Sequence, residues 1–220
     1  MRTIMLMNPS EGCGKTTLAT NIATWFADEG NKVALADFDP KGAALGWLAA
    51  RQNHMDVPGI KGINAAEDGV YVSKGTEYLI LDAPAGVHSK EIDNILRQVQ
   101  TLIIPVLPSS VETQACSRFI HELLVACQVS RQCTCIAVVA NRVEERTLIY
   151  QQLEKFLDSL GIPFLTSLYE SPCYMRSAEQ GLGIFEMDSS NAYPDLVQWD
   201  PVFDWLNSDA SLPLLLRQKR

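Results

Sequence analysis

The chain has 220 residues, 47% of them hydrophobic and 20% charged, which suits one α/β core and excludes disordered, collagen-like and coiled-coil readings. Lys plus Arg number 18 against 26 Asp plus Glu, a formal charge of −8, which argues against broad, unassisted attraction to nucleic acid or anionic membrane. No apolar run approaches the roughly 18 residues of a transmembrane helix, so the expectation is a single cytoplasmic domain over residues 1–220. Six cysteines without a CxxC spacing read as reduced packing residues, not as a disulfide frame or zinc site.

Short β-rich apolar runs alternate with helix-period segments along the whole chain, the pattern of βαβ units and a parallel sheet covered on both faces. Strands are expected at residues 3–7, 32–36, 78–81, 102–106, 135–140 and 163–168. The first helix carries Leu18, Ile22, Trp25 and Phe26 on one stripe and ends at Gly30. Residues 52–76 read as an irregular surface excursion. Ile92, Ile95, Leu96 and Val99 form a second stripe after Ser89, and a further helix starts at the S-x-x-E capping box of Ser109 and Glu112, ahead of Phe119, Leu123 and Leu124. Cys116 and Cys127 share a face of that helix, and another helix is expected from Thr147 to Gly161. Asp200 and Pro201 start a short helix with Phe203 and Leu206 facing inward.

The strongest chemical signal is Gly12-Cys13-Gly14-Lys15-Thr16-Thr17, set between the first strand and the first amphipathic helix. Glycines let backbone N–H groups turn around phosphate oxygens, and the helix N-terminus adds partial positive charge. Lys15 reaches the β/γ-phosphates and the Thr16 hydroxyl ligates Mg²⁺. The strict Walker A pattern would demand Gly where Pro9 stands, so the reading rests on context. Asp37 and Asp39 emerge at the end of the second strand and Asp82 follows 78–81, the edge of a parallel sheet where ligands bind and where phosphate-loop enzymes hold a carboxylate for Mg²⁺. Asn141 ends another strand, where an amide can read an adenine edge by donating and accepting at once. His54, His88 and His121 lack metal-ligand spacing, and Ser109 and Ser110 read as helix caps.

Taken in order, N-P-S-E-G-C-G-K-T-T-L-A-T-N-I-A, V-A-L-A-D-F-D-P-K-G, Y-L-I-L-D-A-P-A-G, L-I-I-P-V-L-P-S-S and V-V-A-N-R-V resemble the ParA/MinD family of deviant Walker ATPases, as does the A-x-x-G-x-x-x-x-E stretch ending at Glu186. The resemblance implies a mostly parallel sheet flanked by helices on both faces, with ATP and Mg²⁺ as cofactors. By the same resemblance Lys15 holds phosphate, Thr16 binds Mg²⁺, Asp39 orients the attacking water, Asp37 and Asp82 support the metal, and Asn141 contacts adenine. Gly12, Cys13, Gly14 and Thr17 complete the nucleotide site. It further implies an ATP-dependent homodimer, a ParB-like adaptor, and non-specific nucleoid DNA as the matrix. Candidate DNA contacts in the sequence are the cationic residues Arg176, Arg217, Lys219 and Arg220.

The family's name-giving lysine, which crosses into the partner subunit, is replaced here by Ser10, and Glu11 replaces the glycine after it. Three explanations stand. The trans cation comes from Lys41, Arg142 or Arg146, as in a carboxysome-positioning branch that includes members lacking the lysine; the chain is a slow or inactive ATP-binding switch; or the lysine was deliberately exchanged. Rival functions are a non-hydrolysing ATP-binding scaffold, a MinD-like membrane switch using the segment from Leu212 to Arg220, and a small-molecule enzyme of dethiobiotin-synthetase type. Pro213 and the short apolar face weigh against the membrane reading.

Overall fold

Strands buried on both faces must be apolar along their length, whereas edge strands need not be, and the burial follows that rule. The computed structural model describes residues 1–86, 94–125, 134–144, 147–187 and 189–217. Its strands are β1 (Arg2–Leu6), β2 (Val33–Asp37), β3 (Lys61–Asn64), β4 (Tyr78–Asp82), β5 (Thr101–Val106), β6 (Cys135–Val143) and β7 (Phe164–Tyr169), ordered β3-β2-β4-β1-β5-β6-β7 in a seven-stranded sheet. Every residue of β2 and β5 is buried, while the edge strand β3 buries only Ile63. Described helices are α1 (Lys15–Asp28), α2 (Ala43–Arg51), α3 (Ser110–Val125), α4 (Leu148–Ser159), α5 (Pro172–Gln180), α6 (Ser189–Leu196), α7 (Asp200–Asn207) and α8 (Leu214–Arg217). Among the described residues, no helix is long and apolar enough to cross a membrane.

The chain divides into two compact units. In the first (Met1–Leu6, Lys15–Pro84, Ser171–Val197), β2 pairs in parallel with both β3 and β4, and β4 pairs with β1. Leu18, Ile22 and Phe26 of α1 are buried as their helical spacing requires, and the Phe26 ring stacks on Tyr78 at 3.9 Å between centroids. The α1 helix runs out at a left-handed Gly30 (φ 83°). The α2 helix buries Ala44, Trp47, Leu48 and Arg51, and its Arg51 lies beneath the late A-x-x-G stretch. That guanidinium bonds Glu186 through both terminal nitrogens at 2.7 and 2.6 Å, donates to the carbonyls of Gly181 and Pro58, and faces the Trp47 ring. Gly181, left-handed at φ 71°, has room for no side chain, because a Cβ there would lie 2.1 Å from the Arg51 backbone nitrogen.

In the second unit (Met7–Gly14, Ala85–Glu170, Gln198–Arg220), β6 pairs in parallel with β5 and β7. Phe119, Ile120, Leu123, Leu153, Leu157, Trp199, Val202, Phe203 and Leu206 fill its core. Thr147 caps α4 by accepting from the Tyr150 N–H. The α7 helix buries Phe203 and Leu206 as expected.

Three expectations are corrected. The excursion at 52–76 contains β3, whose four residues K-G-I-N alternate too briefly to register as a strand. The α2 helix is absent from the sequence reading, since A-A-L-G-W-L-A-A-R is poor in charged partners, although its buried set falls at i, i+3, i+4 and i+7. The sixth strand does not end at residue 140 but runs on to Val143 through register shifts flanking Ala140, so Asn141 lies inside β6. The helix expected after Ser89 falls largely outside the described residues, with Leu96 and Val99 buried at its far end. Cys127 and Arg146 also fall outside them.

Candidate functional site

Parallel strands deliver their carboxyl ends to one edge, and register decides which side chains meet there. Asp37 and Asp82 are the last residues of β2 and β4 and are direct register partners, which sets two buried carboxylates side by side. Thr16, in the first turn of α1, donates its hydroxyl to Asp82 Oδ2 at 2.6 Å. Lys15, at the same helix start, is buried. Asp82 Oδ1 is buried without a hydrogen-bond partner among the described residues.

The Asp82 carboxyl is pushed up to about 7, foremost by burial and further by the Asp37 and Asp39 charges, against the pull of the Thr16 hydroxyl and Lys15. A buried, part-orphaned carboxylate touching a hydroxyl is a hard-oxygen set that a hydrated divalent cation satisfies, so these residues fit Mg²⁺. Asp37 works differently. Its Oδ1 accepts from the Asp39 N–H at 2.9 Å and its Oδ2 from the N–H groups of Ala44 and Leu45 at 2.9 and 3.2 Å. One carboxylate thus caps α2 from a distance and shapes the turn before it. Asp39, half-buried, accepts the Lys41 N–H on Oδ1 at 2.9 Å, and the turn closes through a left-handed Gly42.

The unfolded value for Asp82 is 3.8, so the folded chain takes up a proton between that value and about 7. Its contribution to stability therefore falls as pH rises through that window and stays lost above it. Without nucleotide or Mg²⁺, Asp82→Asn is expected to raise the Tm relative to wild type by more at pH 8 than at pH 5. A melting series that gives the same difference at both pH values would contradict this reading.

The loop half of the motif is built in the second unit. Asn8, buried, donates to the Pro105 carbonyl at 2.6 Å and accepts the Ser10 N–H at 2.8 Å. Gly86 N–H donates to the Pro9 carbonyl at 2.9 Å, so proline here keeps an acceptor in use while giving up a donor. Gly12 and Gly14 have φ of 70° and 97°, and a Cβ placed on Gly12 would meet nothing within 4 Å, so it is the backbone conformation and not crowding that calls for glycine there. Cys13 is fully buried, its Sγ 3.3 Å from the Ser10 carbonyl. Asn141 Nδ2 donates to the Cys13 carbonyl at 2.8 Å.

Thus Lys15, Thr16, Asp37, Asp39 and Asp82 are brought together in the first unit, and Gly12, Cys13, Gly14 and Asn141 in the second. Thr17 accepts on its backbone carbonyl from Thr20 and Asn21. Of the candidate cations, Lys41 is exposed, and Arg142 pairs with Glu170 at 2.6 Å, both half-exposed. Arg176 lies against Cys173, while Arg217 donates to the Leu212 and Ala210 carbonyls of its own segment. Sequence reasoning misses Asn8 as an anchor; an amide directly before a glycine loop that is buried must find partners, and that is the available signal.

With this geometry in view, residues 4–184 match the model of the CobQ/CobB/MinD/ParA nucleotide binding domain, and the chain belongs to that family. It is similar to the maintenance of carboxysome distribution protein A of Halothiobacillus neapolitanus, 25% identical over 190 residues, covering 84% of this chain and 87% of that protein. Among solved structures it is similar to apo McdA of Cyanothece (TM-score 0.76, 18% identity, 94% of this chain and 100% of that one). The ATP complex of a Cyanothece McdA variant carrying one substitution is also similar (TM-score 0.69, 15% identity, 92% and 96%).

Proposed function

We propose that this chain is a Mg²⁺-ATP-dependent dimerisation switch that positions a cargo on nucleoid DNA with the help of an adaptor protein, the cargo being an organelle of carboxysome type. The observation that carries the nucleotide part is the Thr16 hydroxyl on Asp82, whose second oxygen is buried and unpartnered among the described residues, directly after a Gly-x-Gly-Lys loop. The similarity to carboxysome-distribution proteins supports the choice of cargo.

On this reading the N–H groups of Gly12, Cys13 and Gly14 and the N-terminus of α1 bind the phosphates, with Lys15 neutralising the β- and γ-groups. Thr17, next along the first turn of α1, would complete the nucleotide site. Bound Mg²⁺ would supply charge neutralisation to the phosphates. Thr16 and Asp82 hold it, Asp82 through water, and Asp37 supports the metal side by fixing the turn that carries Asp39. Asp39 orients the attacking water and takes its proton, and Asn141 contacts adenine. The trans cation is supplied by Lys41, Arg142 or Arg146 in place of the absent lysine.

Sedimentation of the purified chain with Mg²⁺-ATP and with Mg²⁺-ADP tests the switch. A dimer with ATP alone is expected. A monomer with both nucleotides, each bound, would leave a nucleotide-binding protein without the switch, and added DNA should then change nothing. With the switch intact, DNA affinity should appear only with ATP and fall steeply with salt.

A further inference from the structure

The loop in the second unit is tied at its entrance by Asn8 and at its far end by Asn141. The far tie falls on one particular peptide unit, the one joining Cys13 to Gly14. In a trans peptide the C=O and the N–H point to opposite sides of the chain. Holding the Cys13 carbonyl on Asn141 therefore turns the Gly14 N–H away from Asn141. Rotation of this peptide as a unit changes only ψ of Cys13 and φ of Gly14, and Gly14, at φ 97°, carries no Cβ to oppose either sign. Left alone, the unit could turn over and present a carbonyl oxygen where phosphate needs a donor.

The chemistry of the tether is one-way. A backbone carbonyl only accepts, so residue 141 must offer an N–H, which an asparagine has and an isosteric ionised aspartate lacks. The tether is itself braced. Register shifts in β6 flank Ala140, the second of them falling between Ala140 and Val143 where Asn141 lies, and Arg142 sits at φ 55° with its guanidinium on Glu170 through Nε at 2.6 Å and Nη2 at 3.3 Å. A bulge re-aims the side chains beside it, and this one is followed by a clamped arginine. Asn141 is 5% exposed, so its donor has little competing water.

We infer that Asn141 is a positioning residue for the phosphate loop: its amide locks the Cys13–Gly14 peptide in the orientation that offers the Gly14 N–H to a phosphate oxygen. This deepens the ATP reading and rests on it. The role is separate from contact with the base, because one amide N–H is spent on the loop and the remaining N–H and the Oδ1 are chemically able to meet a nucleobase.

The probe is Mg²⁺-tripolyphosphate, which has the phosphates of ATP and no base, titrated beside Mg²⁺-ATP by calorimetry. Asn141→Ala and Asn141→Asp are expected to weaken both ligands by a similar factor of about ten or more, the aspartate being no better than the alanine despite its shape. Loss of ATP affinity with tripolyphosphate affinity unchanged would assign Asn141 to the base alone and overturn the inference. A wild-type chain that binds neither ligand would overturn the ATP reading and this one with it, a failure visible before any variant is made. Should both variants fail to fold, the wild-type chain still decides. A through-hydrogen-bond NMR coupling between the Asn141 side-chain nitrogen and the Cys13 carbonyl carbon is expected without nucleotide, and its absence refutes the lock.

Discussion

Replacing Asp39 with alanine is expected to lower ATP turnover by about 10²–10⁴-fold, the span typical of a lost general base, with little change in Mg²⁺-ATP affinity. The expectation comes from how the carboxylate is divided. Oδ1 accepts the Lys41 N–H, and the residue's own N–H is held by Asp37. One oxygen thus builds the turn, and on the proposed function the other serves the attacking water. Asp39→Asn keeps the acceptor for Lys41 but has no base, so it separates the two duties. Single-turnover phosphate release should fall in both variants. Wild-type turnover in the asparagine variant would reduce Asp39 to a turn residue and move the search for the base elsewhere.

The largest stability effect is expected at Arg51. Its guanidinium and the Glu186 carboxylate are 4% and 6% exposed, so removing one leaves the other as a buried, unpaired charge. Arg51→Ala should cost about 3–5 kcal/mol in denaturant unfolding. The loss reaches beyond the ion pair, because the same guanidinium serves the Gly181 and Pro58 carbonyls and Glu186 also accepts the Gly183 N–H. Replacing both partners together, as Arg51→Met with Glu186→Met, should cost less than Arg51→Ala alone, since two charges then leave the interior and apolar volume replaces them. A double variant as unstable as the sum of the singles would show that the carbonyl contacts, not the charge pair, dominate.

How much of this is legible in the sequence depends on how local each signal is. The buried strands are readable because double-sided burial writes itself as an unbroken apolar run, as in residues 78–81 and 102–106. The glycine loop is readable because phosphate binding needs backbone, and backbone freedom is written as glycine. The convergence of Asp37 with Asp82 follows from strand ends, yet their strict opposition depends on the register of β2 against β4, which no local pattern encodes. The division of labour between them is not legible at all. Two aspartates look alike in sequence, and only coordinates show one carboxylate saturated by backbone N–H groups and the other with an orphaned oxygen. Arg51 lies 135 residues from Glu186, so their pairing is likewise hidden, although the late A-x-x-G stretch stands out as a motif in its own right.

The sulfur buried within the loop has a practical consequence. Cys13 has no exposed surface, and its thiol lies against the Ser10 carbonyl. A thiol reagent in solution can therefore reach it only when the surrounding structure opens. Its labelling half-time becomes a clock for spontaneous opening around Cys13, readable by mass spectrometry on the unmodified chain and without following any turnover.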